Sequence, residues 1–195
     1  MKKVSKILIL FAIALTFFGC NKKNNENVQN TDENSSQKTA SAIELEEMPI
    51  DNFDFHTIDI VDGKVIKSED FYKEKPITLV NIWGIFCGPC KEEMPDLAKL
   101  HEKYKDKINF LGVVVDTNAN MDTNVEEAKK IIKDSGVNYI NIMPNPTTED
   151  NLVNITAIPT TFFVNSEGKI LGGFVGKFEK EKLEKTLDKL IDENK

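Results

Sequence analysis

The stretch IFCGPCKEEMP, Ile85 to Pro95, holds two of the three cysteines of a 195-residue chain, two residues apart. What flanks it sets the fold. ITLVNIW, Ile77 to Trp83, is an apolar run of the kind expected of a buried central strand. On the other side Met94, Leu97, Ala98, His101 and Tyr104 share one helical stripe, so Pro89 to about Lys105 reads as an amphipathic helix. Pro95 lies inside that helix and is expected to kink it. The cysteines thus stand where a central strand hands over to its helix, the end at which sites collect in open α/β sheets.

The same reading extends in both directions. Upstream, Asp51 to Ile66 alternates polar and apolar residues around Asp62-Gly63, a hairpin signal. Ser68 is placed to cap a short helix running through Tyr72. Downstream, Ile108 to Asp116 (INFLGVVVD) is a second buried strand. Thr123 and Glu126 make a capping box for a helix that Gly136 ends. YINIM is a short third strand, and Glu149 to Asn154 reads as one or two helical turns. Thr160 to Val164, a turn at Ser166-Glu167-Gly168, and KILGGFVG form a second hairpin, followed by an amphipathic helix through Leu183, Leu187, Leu190 and Ile191. Strands alternating with helices, then a hairpin and a terminal helix, predict one α/β domain with a mixed sheet.

That domain is expected to span residues 48–195. Before it, Lys2, Lys3 and Lys6 precede a 12-residue apolar run, Ile7 to Phe18, too short for a spanning helix but suited to a signal peptide over residues 1–19. Gly19-Cys20 follows and resembles the bacterial lipoprotein signal, with Phe17 where that signal usually has Leu; Cys20 would then carry the lipid. Cleavage there removes three Lys and takes the formal charge from -7 to -10. Residues 20–47 begin with a polar tract that cannot bury enough surface to offset its ordering entropy, and are expected to be a disordered tether. An acidic chain without a single Arg argues against a nucleic-acid partner.

Four roles compete for Cys87 and Cys90. A staple closing so short a loop removes little entropy from the unfolded chain. Zinc needs about four ligands, and only Cys20, His56 and His101 remain as soft donors. Two idle thiols fit poorly with an exported protein. The fourth role is a redox dithiol. A Cys just before a helix meets unpaired backbone N–H groups and the positive end of the dipole, which favour its thiolate. Cys87 is so placed, and Cys90, one turn in, is positioned to resolve a mixed disulfide formed on Cys87.

WGIFCGPCKEEMP, Trp83 to Pro95, resembles the thioredoxin-like active-site stretch, and IPTTFFV, Ile158 to Val164, resembles that superfamily's second signature. Asn81 stands where thioredoxins have a buried Asp, and Phe86 where they usually have Trp. The pattern Cys-x-x-Cys-x-x-Glu-x-Pro, met by Cys87, Cys90, Glu93 and Pro95, is similar to the TlpA/ResA-like family of membrane-anchored thiol–disulfide oxidoreductases, over residues 48–195. The resemblance implies a thioredoxin-like fold, a cis Pro159 opposite the cysteines and a functional Glu93 that moves protons on and off Cys90. The bland alternative for Glu93 is an exposed first-turn carboxylate, the reading preferred for Glu92 beside it. Trp83 reads as wall and core, Asn81 as a hydrogen-bonded strand residue, and His56 and His101 as ordinary surface or half-buried residues.

The expected activity is reduction of disulfides in exported proteins, with no cofactor, since the chain lacks a nicotinamide or flavin fingerprint. Electrons would come from a membrane donor of CcdA/DsbD type, and the resemblance suggests apocytochrome c, a methionine sulfoxide reductase or another exported protein as substrate, at the extracytoplasmic face of a membrane. Two alternatives stand beside this: a disulfide donor that oxidises exported proteins, and a thioredoxin-fold lipoprotein that only binds a partner. A peroxiredoxin fits less well, because its peroxidatic Cys does not normally sit in such a pair.

Overall fold

The computed structural model describes residues 40–118 and 122–194, with the side chains of 122 and 123 left aside. The expected signal peptide, Cys20, the polar tract through residue 39 and the capping side chain of Thr123 lie outside what is described.

In chain order the elements are β1 (His56–Ile58), β2 (Val65–Lys67), α1 (Ser68–Phe71), β3 (Ile77–Trp83), α2 (Gly88–Tyr104), β4 (Asn109–Val114), α3 (Asp122–Asp134), β5 (Ile140–Ile142), α4 (Pro146–Leu152), β6 (Thr160–Asn165), β7 (Ile170–Val175) and α5 (Lys180–Glu193). β1 and β2 form a small antiparallel ribbon, and the other strands make one sheet in the order β5-β4-β3-β6-β7. β3 runs parallel to β4 and antiparallel to β6, so the sheet is mixed, with β3 at its centre.

Every residue of β3 is buried, because both faces of the sheet are covered. Leu79 and Trp83 point to the side packed by Met94 and Leu97 of α2 and Leu183 and Leu187 of α5. Val80 and Ile82 point to the other, where Phe53, Phe55, Phe71 and Tyr72 close over Leu111, Val113 and Phe162. The two-residue period of a strand thus divides one apolar run between two cores. Each such side chain contributes about 1.5–3 kcal/mol when fully buried.

Both sheet edges are protected, which blocks edge-to-edge pairing between chains. At β5, Ile60 N–H donates to the Asn141 carbonyl at 2.7 Å and Met143 N–H to that of Ile58 at 3.3 Å. At β7, Glu46 and Gly173 exchange two backbone hydrogen bonds, of 2.8 and 3.0 Å. Gly173 is required there: a Cβ would lie 2.5 Å from the Thr161 carbonyl and 2.7 Å from Met48 Sδ.

Three local expectations are corrected. The packed chain starts before Met48: Ile43 and Leu45 lie against the core, and Ile43 N–H donates to Thr186 Oγ1 at 2.8 Å. The alternation of Ile43 and Leu45 with Glu44 and Glu46 is a strand-like signal too short to stand out at the end of a polar tract. Ser68 caps no helix, and its hydroxyl turns inward to Asp54 Oδ1 at 3.4 Å. The helix expected near Glu149 begins at Pro146, with the Asn145 side chain accepting from Thr148 N–H at 3.1 Å and Pro146 supplying the first helical position. Pro95 sits inside α2, whose helical run continues through Tyr104; its ring removes one amide from the backbone ladder there.

Candidate active site

β3 ends at Trp83, and the next residues cross the carboxyl end of the sheet. Gly84 passes between Asp116 and Ile158: a Cβ would lie 2.9 Å from Asp116 Oδ2 and 3.1 Å from Ile158 Cδ1. Asp116, just beyond β4, accepts from Ile85 N–H at 3.0 Å (Oδ1) and from Phe86 N–H at 3.4 Å (Oδ2). Cys87 N–H donates to the Gly84 carbonyl at 3.1 Å, completing a tight turn. One carboxylate therefore holds the two amides that lead into the first cysteine.

Cys87 is the N-cap of α2, its Sγ accepting from Cys90 N–H at 3.2 Å, and Pro89 occupies the first turn. Cys87 and Cys90 are joined as a disulfide with Cα atoms 5.3 Å apart. Cys90 is wholly buried while Cys87 is partly exposed, and beside it Phe86 is 83% exposed. Only one sulfur is open to a large partner, and it is the one at the positive end of the helix dipole.

One turn further along α2, Glu93 is 1% exposed. Asn81 of β3 donates its Nδ2 amide to Glu93 Oε1 at 2.9 Å and to Thr161 Oγ1 of β6 at 3.2 Å. Glu93 Oε2 has no hydrogen-bond partner among the described residues. Burial pushes the Glu93 carboxyl up to about 7, against smaller opposing pulls from the Asn81 amide, the Phe178 backbone amide (short of a full hydrogen bond) and Lys177. Glu92 is the contrasting neighbour. It is exposed, paired with Lys177 Nζ at 2.8 Å, and its carboxyl is lowered by that bond. Of the two adjacent acids, only Glu93 can change charge near neutral pH.

The Ile158–Pro159 bond is cis. Thr160 pairs with Ile82, so Pro159 abuts the carboxyl end of β3, the end that carries the cysteines. Its carbonyl accepts from Gly176 N–H at 2.7 Å. The structure thus gathers Cys87, Cys90, Glu93 and Pro159 at one end of the sheet.

Trp83 is core: fully buried, it donates Nε1–H to Asn141 Oδ1 at 2.9 Å. His56 is exposed. His101 lies about three turns along α2 from Cys90, edge-on to Phe110 and Tyr139, with Nδ1 2.6 Å from Asn138 Oδ1. Sequence reasoning missed Asp116, Thr161 and the segment Gly176–Phe178. A carboxylate closing the VVVD strand at the site's end of the sheet was the available signal for Asp116. Nothing in the sequence pointed to the other two.

A redox disulfide at the start of the helix that leaves the central strand, backed by a buried carboxyl and a cis-proline, defines a thioredoxin-fold thiol–disulfide oxidoreductase. The chain belongs to the Redoxin family, matched over residues 46–191, and within it to the TlpA/ResA-like thiol–disulfide oxidoreductases. It is 30% identical over 131 residues to the thiol-disulfide oxidoreductase ResA of Bacillus cereus (strain ZK / E33L), covering 67% of this chain and 71% of that one. To the thiol:disulfide interchange protein HelX of Rhodobacter capsulatus it is 28% identical over 155 residues, 79% of this chain and 76% of HelX. The crystal structure of a thioredoxin-family thiol:disulfide interchange protein from Chlorobium tepidum TLS shares the fold, with a TM-score of 0.60 and 24% identity over 76% of this chain and 98% of that one.

Proposed function

We propose that this enzyme works as a reductase of disulfides in exported proteins, with Cys87 attacking, Cys90 resolving, Glu93 handling the proton and Pro159 marking where substrate backbone docks. The Cys87 thiolate attacks one sulfur of the substrate disulfide, forming a mixed disulfide and releasing one substrate thiolate. Cys90, inaccessible to substrate, loses its proton to Glu93, which lies three residues on and on the same helical face. The Cys90 thiolate then attacks Cys87 Sγ and expels the second substrate thiolate. Two electrons pass to the substrate, and the enzyme is left as the Cys87–Cys90 disulfide, to be reduced again by a dithiol donor.

The observation that carries this reading is the asymmetry of the pair: an open sulfur capping the helix and a buried one beside a carboxyl poised near neutrality. Gly88-Pro89, the dipeptide of reducing thioredoxins, favours the reducing direction. Lipidation of Cys20, with the polar tract that follows it as a tether, would hold the domain at the extracytoplasmic face, near a membrane electron donor of CcdA/DsbD type. No helix among the described residues is long and apolar enough to cross a membrane. Apocytochrome c, a methionine sulfoxide reductase or another exported disulfide protein fits as substrate.

Equilibration with defined thiol buffers tests the direction. A reduction potential near the roughly -270 mV of thioredoxin supports the reductase, and one near the roughly -120 mV of a strong oxidant reverses the assignment to a disulfide donor.

A further inference from the structure

The segment between β7 and α5, Gly176 to Phe178, touches both halves of the site. Gly176 N–H donates to the Pro159 carbonyl at 2.7 Å, and Gly176 takes a positive φ of 96° that favours glycine. Phe178 is buried in the core against α2 and α5, with its backbone amide close to the Glu93 carboxyl. Between them Lys177 reaches across to α2 and pairs with Glu92 Oε2 at 2.8 Å. The segment is thereby held at three consecutive residues, one to each side of the reaction and one bridging.

Charged groups lie near Glu93 on α2 and on the Gly176–Phe178 segment. On α2 they are Glu92 and Asp96, which with Glu93 all act on Lys177. On β3 and β6 there are only the neutral Asn81 and Thr161. Tyr139, just before β5, feels the Glu93 charge, and burial keeps its phenol neutral. Among the described residues, Lys177 is the one cation acting on Glu93. Lys177 favours ionisation of Glu93, and its own ammonium is held by the acids of α2.

We propose that Lys177 is a positioning residue for the exchange reaction: anchored by Glu92 and by the Gly176–Pro159 bond, its charge lowers the pH at which Glu93 takes the Cys90 proton. This rests on the reading of Glu93 as proton acceptor. Because the Lys177–Glu92 pair is exposed, it adds little to stability, and its consequence lies in the charge it places near a buried acid.

The test uses the full chain and two readouts. One is the carboxyl-carbon NMR titration of Glu93 in the disulfide form, assigned by its loss in Glu93→Gln. The other is the pH profile of single-turnover reduction of a labelled peptide disulfide. Lys177→Gln should raise both midpoints by about half a pH unit, and Lys177→Arg should restore them. The Lys177→Gln shift should shrink in 1 M salt, as a loosened loop would not. A Glu93 titration unmoved by Lys177→Gln overturns the role of Lys177. A titration that moves while the rate profile does not overturns instead the reading of Glu93 on which it rests.

Discussion

Asn81 and Glu93, twelve residues apart and on different elements, meet at 2.9 Å inside the protein, with the Asn81 amide as the sole full hydrogen-bond donor to the carboxyl among the described residues. A buried carboxylate with a single neutral donor is poorly stabilised as an anion, and that is the physical reason Glu93 is displaced upward from 4.5 to about 7. The pair ties the middle of β3 to the first turns of α2. The acid is therefore fixed relative to the cysteines by the same strand and helix that carry them.

Stability should fall as pH rises past Glu93's titration. The folded carboxyl binds its proton more tightly than the unfolded one, so between about pH 4.5 and about 7 the native state holds more protons. The cost of burying the anion is absent below that window and full above it, on the order of 3 kcal/mol. Glu93→Gln removes it. Chemical denaturation should show the variant gaining on the wild type at pH 8 relative to pH 5, and equal differences at both pH values would contradict the assignment.

Asn81→Asp places a second carboxyl against the first. Two acids in contact cannot both ionise cheaply, so the pair should hold a proton to well above pH 7 and cost about 2–4 kcal/mol of stability at pH 8. The pH profile of exchange should move upward as a unit, its apparent midpoints belonging to the pair. A profile identical to the wild type would show that position 81 does not act on Glu93.

The two cysteines should fail differently. Cys90→Ser should trap substrate on Cys87 as a stable mixed disulfide, visible as a mass increase reversed by reductant. Cys87→Ser should neither trap nor turn over, because the remaining thiol is buried. Trapping by Cys87→Ser would invert the roles.

Asp116→Ala removes the acceptor for the Ile85 and Phe86 amides that shape the turn before Cys87. It should cost about 1–3 kcal/mol and slow single-turnover reduction about 10-fold through misplacement of the nucleophile. A loss of stability with no change in rate would make Asp116 a structural residue alone.

Gly112→Ala tests the packing of β4 on the side of the sheet that holds Trp83. A Cβ there would overlap the Asn141 carboxamide that accepts from Trp83. A loss of about 1–3 kcal/mol is expected, with a change in the emission of Trp83, the chain's single tryptophan. Unchanged stability would mean that Asn141 can swing aside.

Much of the site was legible because it is local. The Cys-x-x-Cys spacing at a strand-to-helix handover and the apolar run of β3 depend on residues close in the chain, as does the Glu one turn beyond the cysteines. Elements with strong periodicity, α2 and α5, were likewise readable. Short segments were not: Ile43 to Glu46 packs only because β7 offers an open edge more than a hundred residues away. Ser68, a good cap by type, is turned inward because Asp54 lies within its reach.

The sequence by itself determined the alternation of strands and helices, the redox pair and its placement at a helix start, since these follow from side-chain period and nearest-neighbour geometry. Which of two adjacent acids is buried was decided only by the tertiary structure, because Glu92 and Glu93 are identical in type and differ by the 100° that separates consecutive residues on a helix. That rotation turns one toward Asn81 and the other toward Lys177, and with them goes the difference between an acid that titrates near neutrality and one that stays ionised.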